Sequence, residues 1–429
     1  MASNIIDNIS ALEILDSRGT PTILARVQLE NGRESRAGVP SGASTGRFEA
    51  LELRDGEINR YRGKGVQRAV ANVKTKINQA LKSKPINDIK LIDKIMIELD
   101  GTEYKSNLGA NAILAVSLAC TRMAAKVEGV PLYEYIRQKF GFNEKKLTLP
   151  GTMMNIMNGG KHSDSGSSIQ EIMLMPKAST FHERVRIGGE VFIALKEVLK
   201  SKHLTTLVGD EGGYSPPLES NAQAFEMIIE AVHNTNFKMD SDVTLAIDAA
   251  ATTFYESDNN IYRLNPENKT YTANRLIDLY QEWYDKYYLR SVEDGIAEDD
   301  WAGWQSMNKK LGKQQMIVGD DIFVTNPKML QQGIDKNAAN AIIIKPNQIG
   351  TLTETITCIK LAQAHGYKTI VANRSGETID VFISDLSVGA NADFIKAGSL
   401  SRGERLAKYN RLMEIEMELG EWKPIKRIW

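Results

Sequence analysis

The chain has 429 residues, 42% of them hydrophobic, with 53 Lys and Arg against 54 Asp and Glu, a formal net charge of −1. That length exceeds what one hydrophobic core fills, about 250–300 residues, so two domains are expected. The near-balance of charge gives no general support for binding to nucleic acid or membrane surfaces, and two cysteines, Cys120 and Cys358, exclude a disulfide framework and point to a reducing compartment.

In chain order, the N-terminus MASNIIDNIS has no basic-then-apolar signal pattern. No apolar run is read as reaching the ~18 residues of a membrane span, so a cytoplasmic protein with no membrane partner is expected. Thr22 to Leu29 is β-rich, Asn31-Gly32 suits a tight hairpin turn, and a return strand through Ala37 to Val39 follows. SGASTG, Ser41 to Gly46, reads as a polar loop. Helical patterns cover 65–81, 88–99 and 110–126, the last apolar nearly all round and therefore buried. Strands followed by helices make residues 1–135 an α+β domain. Charge and glycine at Gln138 to Lys146 read as a linker into a second domain, 145–429.

From Leu149 the pattern changes. A short apolar strand runs into a Gly/Ser/Asp loop holding Lys161 and His162, and IQEIMLMP then places Gln170 and Glu171 in a strand context, where a glutamate needs a partner or a raised pKa. An amphipathic helix, 181–202, leads to VGDEGG with Asp210 and Glu211. Six apolar runs follow, each ending in polar residues: VTLAID at Asp248, LRSVED at Glu293, QMIVGD at Asp320, AIIIK at Lys345, KTIVANRS at Asn373 to Ser375 and FIKAGS at Lys396. Such runs read as strands buried on both faces. Their repetition with helical segments between, functional groups always at the strand's carboxyl end, predicts a (β/α) barrel with its site on that face. A last helix, 402–419, carries Leu412, Ile415 and Leu419 at helical spacing, with Glu414, Glu416 and Glu418 read as a solvated or interface face.

The strand-end residues carry the chemistry. Asp248, Glu293 and Asp320 offer oxygen donors without histidine or thiol, which suits Mg²⁺ rather than Zn²⁺. Lys345 and Lys396 stand on later strands, and a lysine beside a divalent ion is expected to have its pKa lowered so that it can act as a base.

The motifs DSRGTPT (16–22), PSGASTG (40–46), LGANAILAVSLA (108–119), GDEGG (209–213), AEDDW (297–301), VGDDIFVTN (318–326), NQIGTLTET (347–355) and RSGET (374–378) resemble the enolase family along essentially the whole chain. The resemblance implies an N-terminal α+β domain, a C-terminal barrel that begins with an antiparallel pairing, and a homodimer or higher homo-oligomer. It also implies two Mg²⁺ per site, the first on Asp248, Glu293 and Asp320 and the second joined by Ser44. Lys345 would be the base that takes the proton α to the carboxylate, and Lys396 a cation facing that carboxylate. Glu211 would be the acid for the departing β-hydroxyl, with Glu171 beside it, His162 the mobile-loop histidine, and Gln170, Asn373 and Lys161 further substrate-binding residues. Arg374 and Ser375 would grip the phosphate. The superfamily is a standing example of a Lys or His base working with magnesium.

The chain departs from the family pattern near these positions. Asn373 replaces a histidine, Gly295 a proline and Thr252-Thr253 a Ser-Glu pair, and Lys161 precedes the loop histidine. The clustering favours a specialised paralogue, such as a carboxyphosphonoenolpyruvate synthase that takes a second, phosphonate reactant. An ordinary glycolytic enolase acting on 2-phosphoglycerate and a non-catalytic enolase-like scaffold are the alternatives.

Overall fold

A computed structural model describes residues 4–42, 46, 48–142, 146–163 and 165–420. The first strands are β1 (Ile6–Leu15), β2 (Pro21–Leu29) and β3 (Glu34–Gly38). Helix α1 (Gln67–Asn72) continues through a π turn (Val73–Ile77) into α2 (Asn78–Leu81), and α3 (Ile89–Asp100), α4 (Ala110–Glu128) and α5 (Leu132–Phe140) follow. Next come β4 (Gly151–Asn158), β5 (Glu171–Pro176), α6 (Phe181–Ser201), α7 (Asn221–His233) and β6 (Val243–Asp248). Three short strands, β7 (Tyr255–Glu256), β8 (Ile261–Leu264) and β9 (Lys269–Tyr271), form a small separate sheet. The remainder alternates: α8 (Ala273–Tyr287), β10 (Leu289–Glu293), α9 (Trp301–Leu311), β11 (Met316–Gly319), α10 (Pro327–Asp335), β12 (Ala341–Ile344), α11 (Pro346–Ile349), α12 (Leu352–Ala364), β13 (Lys368–Ala372), α13 (Phe382–Gly389), β14 (Phe394–Lys396) and α14 (Gly403–Glu418).

Eight strands close into a barrel in the order β10-β11-β12-β13-β14-β4-β5-β6. The pairings β4–β5 and β5–β6 are antiparallel, whereas β6–β10 and β10–β11 are parallel. The barrel therefore opens with the atypical pairing that the resemblance implies. Its strands read as unbroken apolar runs because every residue of β6 and β12 is buried.

By packing, the chain divides into two compact units, Met1–Lys146 with Gly319–Lys336 and Ala341–Ala390, and Leu147–Val318 with Asn337–Asn340 and Asn391–Trp429. In the first, β1–β2–β3 is an antiparallel sheet covered by α4. Helix α4 is long and apolar enough to cross a membrane by length and composition, contrary to the expectation that no run is; 83% of that stretch is buried inside the protein, as in a core helix. Asp93 of α3, also buried, accepts from the Thr353 hydroxyl at 2.6 Å and the Thr353 N–H at 3.0 Å, tying α3 to α12. The linker expected at 138–146 is helical as far as Phe140, because Tyr133, Tyr135, Ile136 and Phe140 bury one face of α5; residues 143–145 lie outside the described residues.

In the second unit, Thr180 and Ser220 cap α6 and α7 by accepting from the N–H three residues on. Glu416 corrects the reading of the last helix. It is buried rather than solvated, and its carboxylate accepts from the N–H of Phe181 and, at 2.9 Å, of His182, the unsatisfied first turn of α6.

Candidate active site

In the second unit, strand register decides the site. Glu171 is the partner of Asp248 across β5–β6, and Asp248 is the partner of Glu293 across β6–β10. Neighbouring strands run about 4.8 Å apart and paired residues share a face, so three buried carboxylates stand in one row. Lys396, at the end of β14, satisfies them: its Nζ lies 3.1 Å from Glu171, 3.2 Å from Asp248 and 2.8 Å from Glu293. Gln170 donates from Nε2 to the Asp248 carboxylate at 3.2 Å.

His162 Nδ1 lies 3.2 Å from Glu171, and ligand atoms of His162, Glu171 and Glu211 all fall within 4.8 Å of one another. Burial pulls His162 toward its neutral form, but Glu171, Glu211 and Asp248 outweigh it and raise its pKa above the usual histidine value. Lys396 is subject to the same two influences. Burial lowers its pKa, yet Glu171, Glu293, Asp248 and Glu211 together hold it well above the ordinary lysine range. The carboxylates nearest its ammonium decide the sign.

The donors fit a hard divalent cation. Asp248 and Glu293 are oxygen-only and buried, and three carboxylates against one ammonium leave net negative charge for a metal to compensate.

In the first unit, Lys345 follows β12 and pairs through its ammonium with Asp320. A ring of hydrogen bonds holds both: the Lys345 N–H donates to Thr325 Oγ1 at 2.8 Å, Thr325 Oγ1 to Gln348 Oε1 at 2.7 Å, and Gln348 Nε2 to Asp320 Oδ1 at 2.9 Å. Arg374 is buried, and its guanidinium forks onto Glu49 at 3.0 and 3.2 Å and donates to Asn347 Oδ1 at 3.2 Å. Burial would lower its pKa, but Glu49 and Asp320 push it up, so it is permanently cationic. Beside it Asn373 is buried and its Nδ2 donates to the Arg374 carbonyl at 3.1 Å. The segment after Arg374 is pinned by a reciprocal pair, Ser41 N–H to the Gly376 carbonyl at 2.7 Å and Gly376 N–H to the Ser41 carbonyl at 3.1 Å. A Cβ on Gly376 would sit 2.2 Å from Asp16 Oδ2, so only glycine permits that approach. Ser375 is buried, with its carbonyl 3.2 Å from Ser17 Oγ.

Lys161 is exposed on the wall of a cleft with Ser163, Ser167, Ser168 and Arg263. Thr252 and Thr253 are exposed: Thr252 Oγ1 accepts from the Glu298 N–H at 3.0 Å, and Thr253 Oγ1 donates to the Ala250 carbonyl at 2.8 Å. Ser44 lies outside the described residues. Glu49, Asn347, Thr325 and Gln348 were not anticipated. A partly buried lysine and a buried arginine each require a partner, but only long-range contacts identify which carboxylates and amides supply it.

Family comparison adds an independent finding. Residues 146–426 match the family model described as enolase, C-terminal TIM barrel domain, and residues 6–136 match that of enolase, N-terminal domain.

Proposed function

The chain belongs to the enolase family, and from that premise we propose a magnesium-dependent enolase-type reaction on a small phosphorylated carboxylate, 2-phosphoglycerate or a phosphoenolpyruvate-like compound. The observation that carries this reading is the buried row of Glu171, Asp248 and Glu293 around Lys396. Such a concentration of buried charge costs stability unless it is used to bind or transfer charge.

In this reading Lys345 takes the proton α to the carboxylate, and Glu211 gives a proton to the departing β-oxygen. His162 and Glu171 flank that acid, and Lys396 with Gln170 faces the substrate's carboxylate end. Arg374 and Ser375 hold the phosphate; two of the arginine's donors face Glu49, so phosphate competes with or shares that fork. Asp248, Glu293 and Asp320, with Ser44 for a second ion, would hold Mg²⁺, which supplies positive charge where electron density builds on the carboxylate.

For the finer assignment we favour a specialised paralogue of the carboxyphosphonoenolpyruvate synthase type. Asn373, at the buried position where the family pattern has histidine, can donate a hydrogen bond but does not titrate near neutral pH. Lys161 adds an exposed cation next to His162, suited to a second anion.

One coupled assay with 2-phosphoglycerate and Mg²⁺, run with and without phosphonoformate, tests the reading. Turnover of roughly 10 s⁻¹ or more without phosphonate binding would identify a plain 2-phosphoglycerate dehydratase. Poor dehydration together with phosphonate binding that is lost in Lys161→Ala supports the paralogue. Neither activity in a protein that binds Mg²⁺ would leave the scaffold alternative.

A further inference from the structure

Four successive backbone carbonyls around the proposed acid Glu211 each accept a hydrogen bond from one short segment that follows Lys396. Arg402 Nε donates to Gly209 at 3.0 Å, Arg405 Nη2 to Asp210 at 3.2 Å, the Ser399 N–H to Glu211 at 2.9 Å and Ser401 Oγ to Gly212 at 2.6 Å. The donors rest on a braced base. Arg405 is fully buried, and the Tyr409 hydroxyl donates to the Gly398 carbonyl at 2.7 Å. The contact is closed, since a Cβ on Gly212, whose φ is +87°, would meet Ser401 Oγ at 2.7 Å. On its other side the Asp210 N–H donates to the His162 carbonyl at 3.1 Å, so the loop also carries the proposed histidine.

Arg402 is the informative member. Its backbone lies at φ 68°, ψ 127°, a conformation glycine adopts freely and arginine only at a cost, although Gly403 stands next to it. The side chain is exposed apart from its bond to Gly209, so packing does not explain an arginine there.

We propose that Ser399–Arg405 is a positioning clamp for Glu211, with Arg402 its adjustable cation, and that it serves the proton-donating step and not the removal of the α-proton. The physical reason is distance sensitivity: a proton donor must stay within hydrogen-bond reach of the leaving oxygen, and a misplacement of about 1 Å costs up to about 10²-fold in rate. The assignment to that step rests on the enolase-type reading; the clamp itself does not.

The test uses Arg402→Gly, which removes the guanidinium and relieves the backbone without opening the core, and Ser401→Ala as a second variant. In hydrogen exchange, the amides of 209–213 should exchange about 10-fold or more faster in Arg402→Gly, with no loss of thermal midpoint. Unchanged exchange there in both variants overturns the clamp. With 2-phosphoglycerate, elimination should fall about 10²-fold while exchange of the α-proton with solvent deuterium persists, and Arg402→Lys should restore most of the loss. Parallel loss of both steps, or of neither, overturns the assignment to the acid step. A wild-type protein that neither eliminates nor exchanges refutes the enolase-type reading instead, and the amide measurement still decides the clamp.

Discussion

Glu293 and Asp248 stand opposite each other on the parallel strands β10 and β6, and the ammonium of Lys396 lies within 3.2 Å of both. Two carboxylates in register at the ends of buried strands repel each other, and a cation must be part of the folded state. The same register places Glu171 on the far side of Asp248.

Metal dependence follows. Chelation should abolish turnover and Mg²⁺ restore it, whereas full activity in excess EDTA would reject the ligand assignment. Mg²⁺ should also raise the unfolding free energy by about 2.7 kcal/mol at a hundred times its Kd, and Asp248→Asn should shrink that shift, which calorimetry reads without any substrate.

Lys345→Ala removes the proposed base while Asp320 keeps its Gln348 partner. Exchange of the substrate's α-proton with solvent deuterium should slow by roughly 10²- to 10⁴-fold, with Mg²⁺ binding nearly intact. Unchanged exchange by NMR would move the role to another group.

Asp93 gives a pH prediction. Burial raises its pKa from 3.8 to about 6 in spite of the hydroxyls of Thr353 and Ser117. The folded protein thus holds this proton over a range where the unfolded chain has lost it, so the stabilisation from Asp93 is complete below about pH 4 and is lost as pH rises through 6. Asp93→Asn should remove that dependence and stabilise the protein at neutral pH by at most ~3 kcal/mol; parallel stability–pH curves for wild type and variant would refute it.

Glu416→Ala leaves the first turn of α6 without its carboxylate. Loss of two charge-assisted bonds should cost about 2 kcal/mol or more in urea denaturation. Lys or Ala substitutions at the solvent-facing Glu414 should change little, and equal effects at both positions would mean that Glu416 is not a cap.

Much of the fold was legible along the chain. The strands with loaded ends stood out because a strand covered on both faces is a continuous apolar run, and α3, α6 and α14 carried helical spacing. Strand β1 did not stand out: Asp7, Asn8, Ser10 and Glu13 interrupt it, and its pairing with β2 is what makes it a strand. Helix α7 and the small β7–β9 sheet were likewise not picked out individually.

The sequence by itself determined the barrel and the family, and it singled out the strand-end carboxylates and the two lysines as candidates, because strand periodicity and motif order are properties of neighbouring residues. Tertiary structure alone decided the partners of the buried charges. It placed Glu49 on Arg374, turned Glu416 from a surface residue into a cap, surrounded Lys396 with enough carboxylates to raise its pKa, and set Ser399–Arg405 against the Glu211 loop. The physical reason is that a buried polar group must find a partner, but the partner is fixed by strand register and packing between residues up to hundreds of positions apart, and local sequence patterns do not record it.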